Sequence, residues 1–147
     1  MSLANKRTFL VRCGRSTILI SYLLTAGCLS NLHDEQLHEL RTLQANLPIH
    51  PSFAAVKTSE VSKINLASIS TLYRSPASYE DVKSFYKERL MQQGWQLVGE
   101  REMREWGHSY GGYSLDFSRG EYRVTIQYAG KRDQPNSWDY GVSVGWG

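Results

Sequence analysis

Hydrophobic and polar residues alternate through the last third of the chain. Tyr113, Leu115 and Phe117 are separated by Ser114 and Asp116. Tyr122, Val124, Ile126 and Tyr128 are separated by Arg123, Thr125 and Gln127. Trp138, Tyr140, Val142, Val144 and Trp146 are separated by Asp139, Gly141, Ser143 and Gly145. A period of two sends successive side chains to opposite faces, so these runs predict three strands of an antiparallel sheet covered on one side only. Arg119-Gly120 joins the first two as a tight hairpin, and Gly130 to Ser137, with Pro135 and Asn136, reads as a longer exposed loop. Two further strands are read from Ile64 to Tyr73, rich in β-branched and apolar residues, and from Trp95 to Met103.

Between those two strands the period lengthens to that of a helix. Ser78 stands as N-cap, Glu80 and Asp81 occupy the first turn at the positive end of the dipole, and Gly94 ends the element. Tyr79, Val82, Phe85, Tyr86 and Leu90 form its apolar stripe, which makes it the natural cover for the apolar side of the sheet. A second amphipathic helix is read over 32–47, where Leu40, Leu43 and Leu47 recur at spacings of three and four and Pro48 stops the run. Its stripe can pack on the following domain, dock on a partner or lie along a membrane; one Arg41 among acidic neighbours does not make the basic face that suits an anionic bilayer. The predicted fold class is therefore α+β: an antiparallel sheet of about five strands, in the order β-α-β-β-β-β, with one main helix on one face and an N-terminal amphipathic helix.

The first residues obey a different pattern. Lys6, Arg7, Arg12 and Arg15 precede an uncharged apolar run, and Thr25-Ala26-Gly27 precede Cys28. Basic, apolar, then small is the layout of a secretory signal. The apolar run from Thr17 to Leu29 is about 13 residues, against roughly 20 for a membrane-spanning helix. Leu24-Thr25-Ala26-Gly27-Cys28 resembles the lipobox of bacterial lipoproteins, with Thr25 where Leu is commonest. The resemblance covers the first 28 residues and implies diacylglycerol on Cys28 and cleavage after Gly27. Non-Asp Leu29 in the next position implies, by the enterobacterial sorting pattern, the outer membrane. Asn5-Lys6-Arg7-Thr8-Phe9-Leu10 also resembles a twin-arginine export motif, with Lys6 in place of the first Arg. The expected organisation is a signal peptide over 1–27, a lipidated N-terminus with its helix and linker over 28–47, and a small α+β domain over 48–147.

Removing the signal changes the electrostatics. Of 17 basic residues four lie in the first 27, while all 14 acidic residues follow them, so the mature chain carries a net −1. It has no basic excess with which to neutralise phosphates, which argues against a nucleic-acid partner. Cys13 leaves with the signal and Cys28 would be held in a thioether, so no disulfide or thiolate metal site is expected.

Candidate chemistry is sparse. Gly107-His108-Ser109-Tyr110-Gly111 fits G-x-S-x-G and looks like the nucleophile elbow of an α/β-hydrolase, but that elbow needs a helix after the Ser and a later His. Here Gly112 and an alternating strand follow, and the four histidines, His33, His38, His50 and His108, all precede Ser109. His33 and His38 are about 140° apart around a helix and do not share a face. Glu100 and Glu102 share a strand face that reads as solvated. No catalytic residue, metal site or cofactor is expected.

Trp106 and Tyr110 fall outside the alternation, in what reads as a Gly-rich loop over 104–112; rigid aromatics on such a loop are good contact anchors, and these two are the candidate interaction residues. The loop at 130–137 is the next choice. The run Ser75-Pro76-Ala77-Ser78-Tyr79-Glu80-Asp81-Val82, with Leu90, Gly94-Trp95 and the Leu-Pro-x-x-Pro lead-in of residues 47–51, resembles a pattern of small exported bacterial proteins of unknown function. It supports the fold and implies no activity. The expected function is a lipid-anchored, non-catalytic interaction or accessory module of the cell envelope, with the membrane and an envelope protein as partners. The alternative is a carrier of a small ligand or lipid held between helix and sheet.

Overall fold

The computed structural model describes residues 35–63, 65–130 and 137–146. Residues 1–27, read above as a signal, Cys28, and most of residues 130–137, read above as a loop, lie outside them. Residues 36–147 form one compact unit. Its elements are helix α1 (35–45), strands β1 (Ala54–Lys63) and β2 (Leu66–Arg74), helix α2 (Tyr79–Gln92), and strands β3 (Gln96–Glu105), β4 (His108–Arg119), β5 (Tyr122–Tyr128) and β6 (Tyr140–Trp146). The strands make one sheet in the order β1-β2-β6-β5-β4-β3, with every neighbouring pair antiparallel. Among the described residues no helix is long and apolar enough to cross a membrane.

The alternation seen in the sequence becomes three rows across the sheet. Ile69, Val144, Val124 and Phe117 lie side by side in register, as do Thr71, Val142, Ile126 and Leu115. Tyr73, Tyr140, Tyr128 and Tyr113 make the third row. All of them face the helices, and the first two rows are buried. Tyr79 of α2 stacks on Tyr113 at 4.6 Å between ring centroids, and Phe53 stacks on Tyr140 at 5.1 Å. The other face carries the polar row Ser70, Ser143, Thr125 and Asp116, in which Asp116 is buried and accepts from Thr125 Oγ1 at 2.7 Å.

Helix α2 has the ends the sequence predicts. Ser78 Oγ accepts from the Asp81 backbone N–H at 3.2 Å and donates to the Asp81 carboxylate at 2.7 Å. At the other end Trp95 N–H donates to Leu90 C=O and Gly94 N–H to Met91 C=O, both at 3.0 Å, with Gly94 at φ +82°. This is a Schellman closure, which needs a left-handed residue and so a glycine. The helix carries the chain from β2 across the sheet to β3 at the far edge.

Two elements differ from the sequence reading. The sheet has six strands, not about five: β1 pairs with β2 from Ala54↔Arg74 to Lys63↔Leu66. Every residue of β1 is exposed, including Val56 and Val61. An edge strand with neither face covered has no buried side to impose alternation, so only backbone pairing creates it. The second difference is the Gly-rich loop, which is mostly strand. The pairing of Glu105 with His108 leaves a loop of two residues, Trp106 and Gly107.

Candidate functional site

Helix α1 lies on the same face as α2. Leu40 is fully buried, Leu47 is buried, and Leu37 and Leu43 pack against the same core. Arg41 pairs with Glu60 of β1 at 2.8 Å, and Gln44 donates to Thr71 of β2 at 2.9 Å. Residues 38–43 approach the β4–β5 turn, where the Tyr122 hydroxyl donates to the Glu39 carboxylate. Helix and turn do not close on one another. They leave a cleft of about 480 Å³, with Leu43 and Tyr122 in its wall and His38, Glu39, Arg119 and Glu121 around it. Ligand pockets commonly fall between roughly 300 and 1,000 Å³.

The charged groups of this cleft are held in place. Arg119 lies 4.6 Å over the Trp95 ring and donates to Gln93 C=O at 3.0 Å, tying the turn to the end of α2. Glu121 accepts from Trp146 Nε1 at 3.1 Å. The space between α2 and the sheet is by contrast filled by Tyr79, Val82, Tyr86 and Leu90. The cleft of about 480 Å³ lies beside α1. Nothing in the sequence joins residues 38–43 to 119–122, because the two segments meet only when both sit at one end of the sheet.

The second feature is the tip of the β3–β4 hairpin, at the opposite end. Trp106 is 99% exposed and has φ +51°, followed by Gly107 at φ +83°. Positive φ at both loop residues is the mark of a type I′ turn, whose first place favours Asn, Asp or Gly. Among the described residues Trp106 is the one non-glycine at positive φ. Trp106→Asn should therefore stabilise the domain by about 1 kcal/mol, read as a raised urea midpoint, since a left-handed conformation costs an ordinary side chain about 1–2 kcal/mol. Tyr110, the other candidate, lies in a bulge of β4 between the pairs Met103↔Gly112 and Arg104↔Ser109, half-buried.

Ser109 is not placed as a nucleophile. Its hydroxyl donates to the Glu102 carboxylate, which also receives Arg104 at 2.9 Å. Those two bonds, Ser109 first and Arg104 second, hold the Glu102 carboxyl below the usual carboxylate range, so it is a poor proton acceptor. His108 stands opposite Glu105 at the hairpin end, and His50 packs against Phe53 and Phe85. Glu100 is a structural acceptor: Lys83 at 2.8 Å and Tyr79 at 3.0 Å fasten α2 to β3 through it. Among the described residues no three His, Cys, Asp or Glu side chains cluster as metal ligands.

Comparison with known proteins gives one family. Residues 56–136, more than half of the chain, match the family model described as START domain-like. The chain belongs to the START domain-like family. No curated protein and no solved structure matches it. The START domain-like segment begins within β1 and runs past β5. Helix α1 and strand β6 lie outside the matched residues, so the cleft combines a helix beyond the START domain-like match with a turn inside it.

Proposed function

We propose that this START domain-like protein is a non-catalytic binding module of the bacterial cell envelope that takes a small apolar or amphipathic molecule in the cleft beside α1. The observation that carries the reading is the apolar-walled cleft of about 480 Å³ in a domain of this family. Leu43 and Tyr122 supply an apolar wall, Arg119 and Glu39 supply polar groups held by their own partners, and His38 stands beside them, the combination that orients a ligand with one apolar and one polar part. The notion of a ligand between helix and sheet is thereby moved from α2 to α1. The hydrogen bonding of Ser109 to a carboxylate of lowered basicity gives no support to hydrolase chemistry.

In this proposal the chain is exported, acylated at Cys28 and held on the outer membrane, facing the periplasm, by its lipid. Each buried methylene contributes ~0.8 kcal/mol, so two or three acyl chains suffice for lasting attachment. The lipobox-like residues 24–28 support this reading. Native mass spectrometry of protein extracted from its own membranes tests both parts. The expected result is an N-terminus at an acylated Cys28 with an additional bound small molecule, and loss of that molecule in Leu43→Arg. Protein that starts at Met1 with a free thiol would overturn the anchoring, and a ligand-free spectrum for the unsubstituted chain would overturn the carrier role.

A second reading, contact with another protein, is favoured by Trp106: a fully exposed indole in a strained turn does nothing for its own fold.

A further inference from the structure

We infer that the sheet face opposite the helices, at its β1–β2 turn end, is seated on the membrane surface, where its basic residues hold anionic phospholipid headgroups. This rests on the acylated Cys28 of the proposal above and not on what fills the α1 cleft. Register places Lys57, Lys63, Arg101 and Arg123 on that face, with Asp116 among them. Asp116 is matched by Arg101 at 3.5 Å, and Glu121 at the rim accepts from Trp146 Nε1 at 3.1 Å. With Glu121 counted, four basic residues stand against two acidic ones, Asp116 and Glu121. Farther along the face Arg74 pairs with Asp139, and Glu105 lies at the distant hairpin end. Among the described residues Lys57, Lys63 and Arg123 have no ion-pair partner. On the helix side the acidic residues outnumber the basic ones, so the excess of positive charge belongs to this face.

Shape and tether both point to a lipid surface. Small residues, Ser68, Ser70, Ser143 and Gly145, lie between the lysines of β1 and Arg123 of β5 and keep the middle of the face low. A hollow of about 220 Å³ there is bordered by Leu66, Trp146, Ser68, Thr125, Ser143 and Arg123. Val61 and Leu66 are exposed on the same face. Long-stemmed cations around a shallow polar floor, beside exposed aliphatic side chains, match a phospholipid headgroup and the top of its acyl chains. Helix α1 starts at the end of the sheet where Glu39 meets Tyr122, and Leu66, Arg123 and Gly145 stand at that same end. Cys28 precedes Gln36 by eight residues, which span at most roughly 28 Å. One packed layer is about 10 Å thick, so a lipid on Cys28 leaves enough chain for the basic face to meet the bilayer. The Trp106 tip is set roughly 37 Å from Arg119 by the length of β4. The domain cannot stand on that tip while the lipid is inserted.

Fluorescence quenching tests it on the natural product. Protein extracted from its own membranes is reconstituted in vesicles of phosphatidylethanolamine and phosphatidylglycerol, or of phosphatidylcholine alone, with a nitroxide on the headgroups. A fluorophore is carried on Ser68→Cys, beside the hollow, or on Glu88→Cys, exposed on α2. In the anionic vesicles the expected quenching at position 68 is at least threefold that at position 88. It falls to the position-88 level in phosphatidylcholine and in a Lys63→Gln, Arg123→Gln variant, because each cation at an anionic surface is worth about fivefold in partitioning and the pair on the order of twentyfold. Both substituted residues are exposed and outside the core, so folding of the variant is not at issue. Equal quenching at the two positions, or an excess at 68 that persists in either control, would overturn the contact. Shielding of position 68 from soluble iodide without headgroup quenching would overturn it too, in favour of a second copy on that face. Flotation with phosphatidylcholine vesicles reads the acyl anchor separately. A chain that fails to float has lost the acylation reading, whereas a floating chain with equal quenching has lost the membrane-facing sheet alone.

Discussion

Replacing Tyr86 with Ala lowers the stability of the domain by about 3–5 kcal/mol, the cost of removing a large buried aromatic from a packed core. Tyr86 is 1% exposed at the centre of α2, with Phe85 at 5.2 Å and Phe53 at 6.2 Å between ring centroids. Its hydroxyl is hydrogen-bonded to the His50 backbone, and burial pushes its pKa up. One side chain thus joins the helix, the lead-in before β1 and the aromatic row of the sheet. Domains of this size are stable by about 5–15 kcal/mol, so the loss is a large part of the total and should lower the urea midpoint markedly. Tyr86→Phe keeps the ring and loses about 1 kcal/mol, the usual net worth of one hydrogen bond. Urea unfolding followed by tryptophan fluorescence measures both. A Tyr86→Ala midpoint close to that of the unsubstituted protein would mean that α2 does not cover the sheet.

Leu40→Ala should cost about 2–5 kcal/mol, the range for a fully buried leucine whose neighbours close only partly over the hole. Leu40 is 0% exposed and belongs to the same cluster as Leu90, Trp95 and Phe117. The measurement separates the fates open to an amphipathic helix: one that served a membrane or a partner would lose an apolar contact there and leave the domain unfolding unchanged. Exposed Arg41 is a useful contrast. It pairs with Glu60 in solvent, and Arg41→Ala should move the midpoint by less than about 1 kcal/mol. An Arg41→Ala effect equal to that of Leu40→Ala would count against the packing of α1 described above.

The parts of the fold legible in the sequence are those where one face is buried and the other is not. Strands β4, β5 and β6 carry that alternation, and Leu115, Phe117, Val124, Ile126, Val142 and Val144 all face the helices as it requires, although Ser114 and Asp116 on the other face of β4 are buried too. Helix α2 was legible down to its Ser78 cap and Gly94 stop, because both ends are set by local hydrogen bonding. Strand β1 was not legible, since a strand exposed on both faces leaves no periodic mark. The hairpin tip was misread for a related reason. Gly107, Gly111 and Gly112 look like loop residues one by one, while cross-strand pairing from Glu102↔Tyr113 to Glu105↔His108 makes them part of a ribbon.

The candidate site divides the same way. Trp106 stood out because it broke an alternation, and Cys28 because residues 24–28 resemble a lipobox, a pattern read as a linear string. Residues His38, Leu43, Arg119 and Tyr122 did not stand out, although they line the cleft.

What the amino-acid sequence determined by itself is what depends on near neighbours along the chain: helix ends, strand faces and the apolar stripe of α1. What the tertiary structure alone decided is where those stripes go. Leu40 joins the core, the β4–β5 turn meets α1, and β1 extends the sheet, because each depends on contacts between residues far apart in the chain, whose free energy no local pattern encodes.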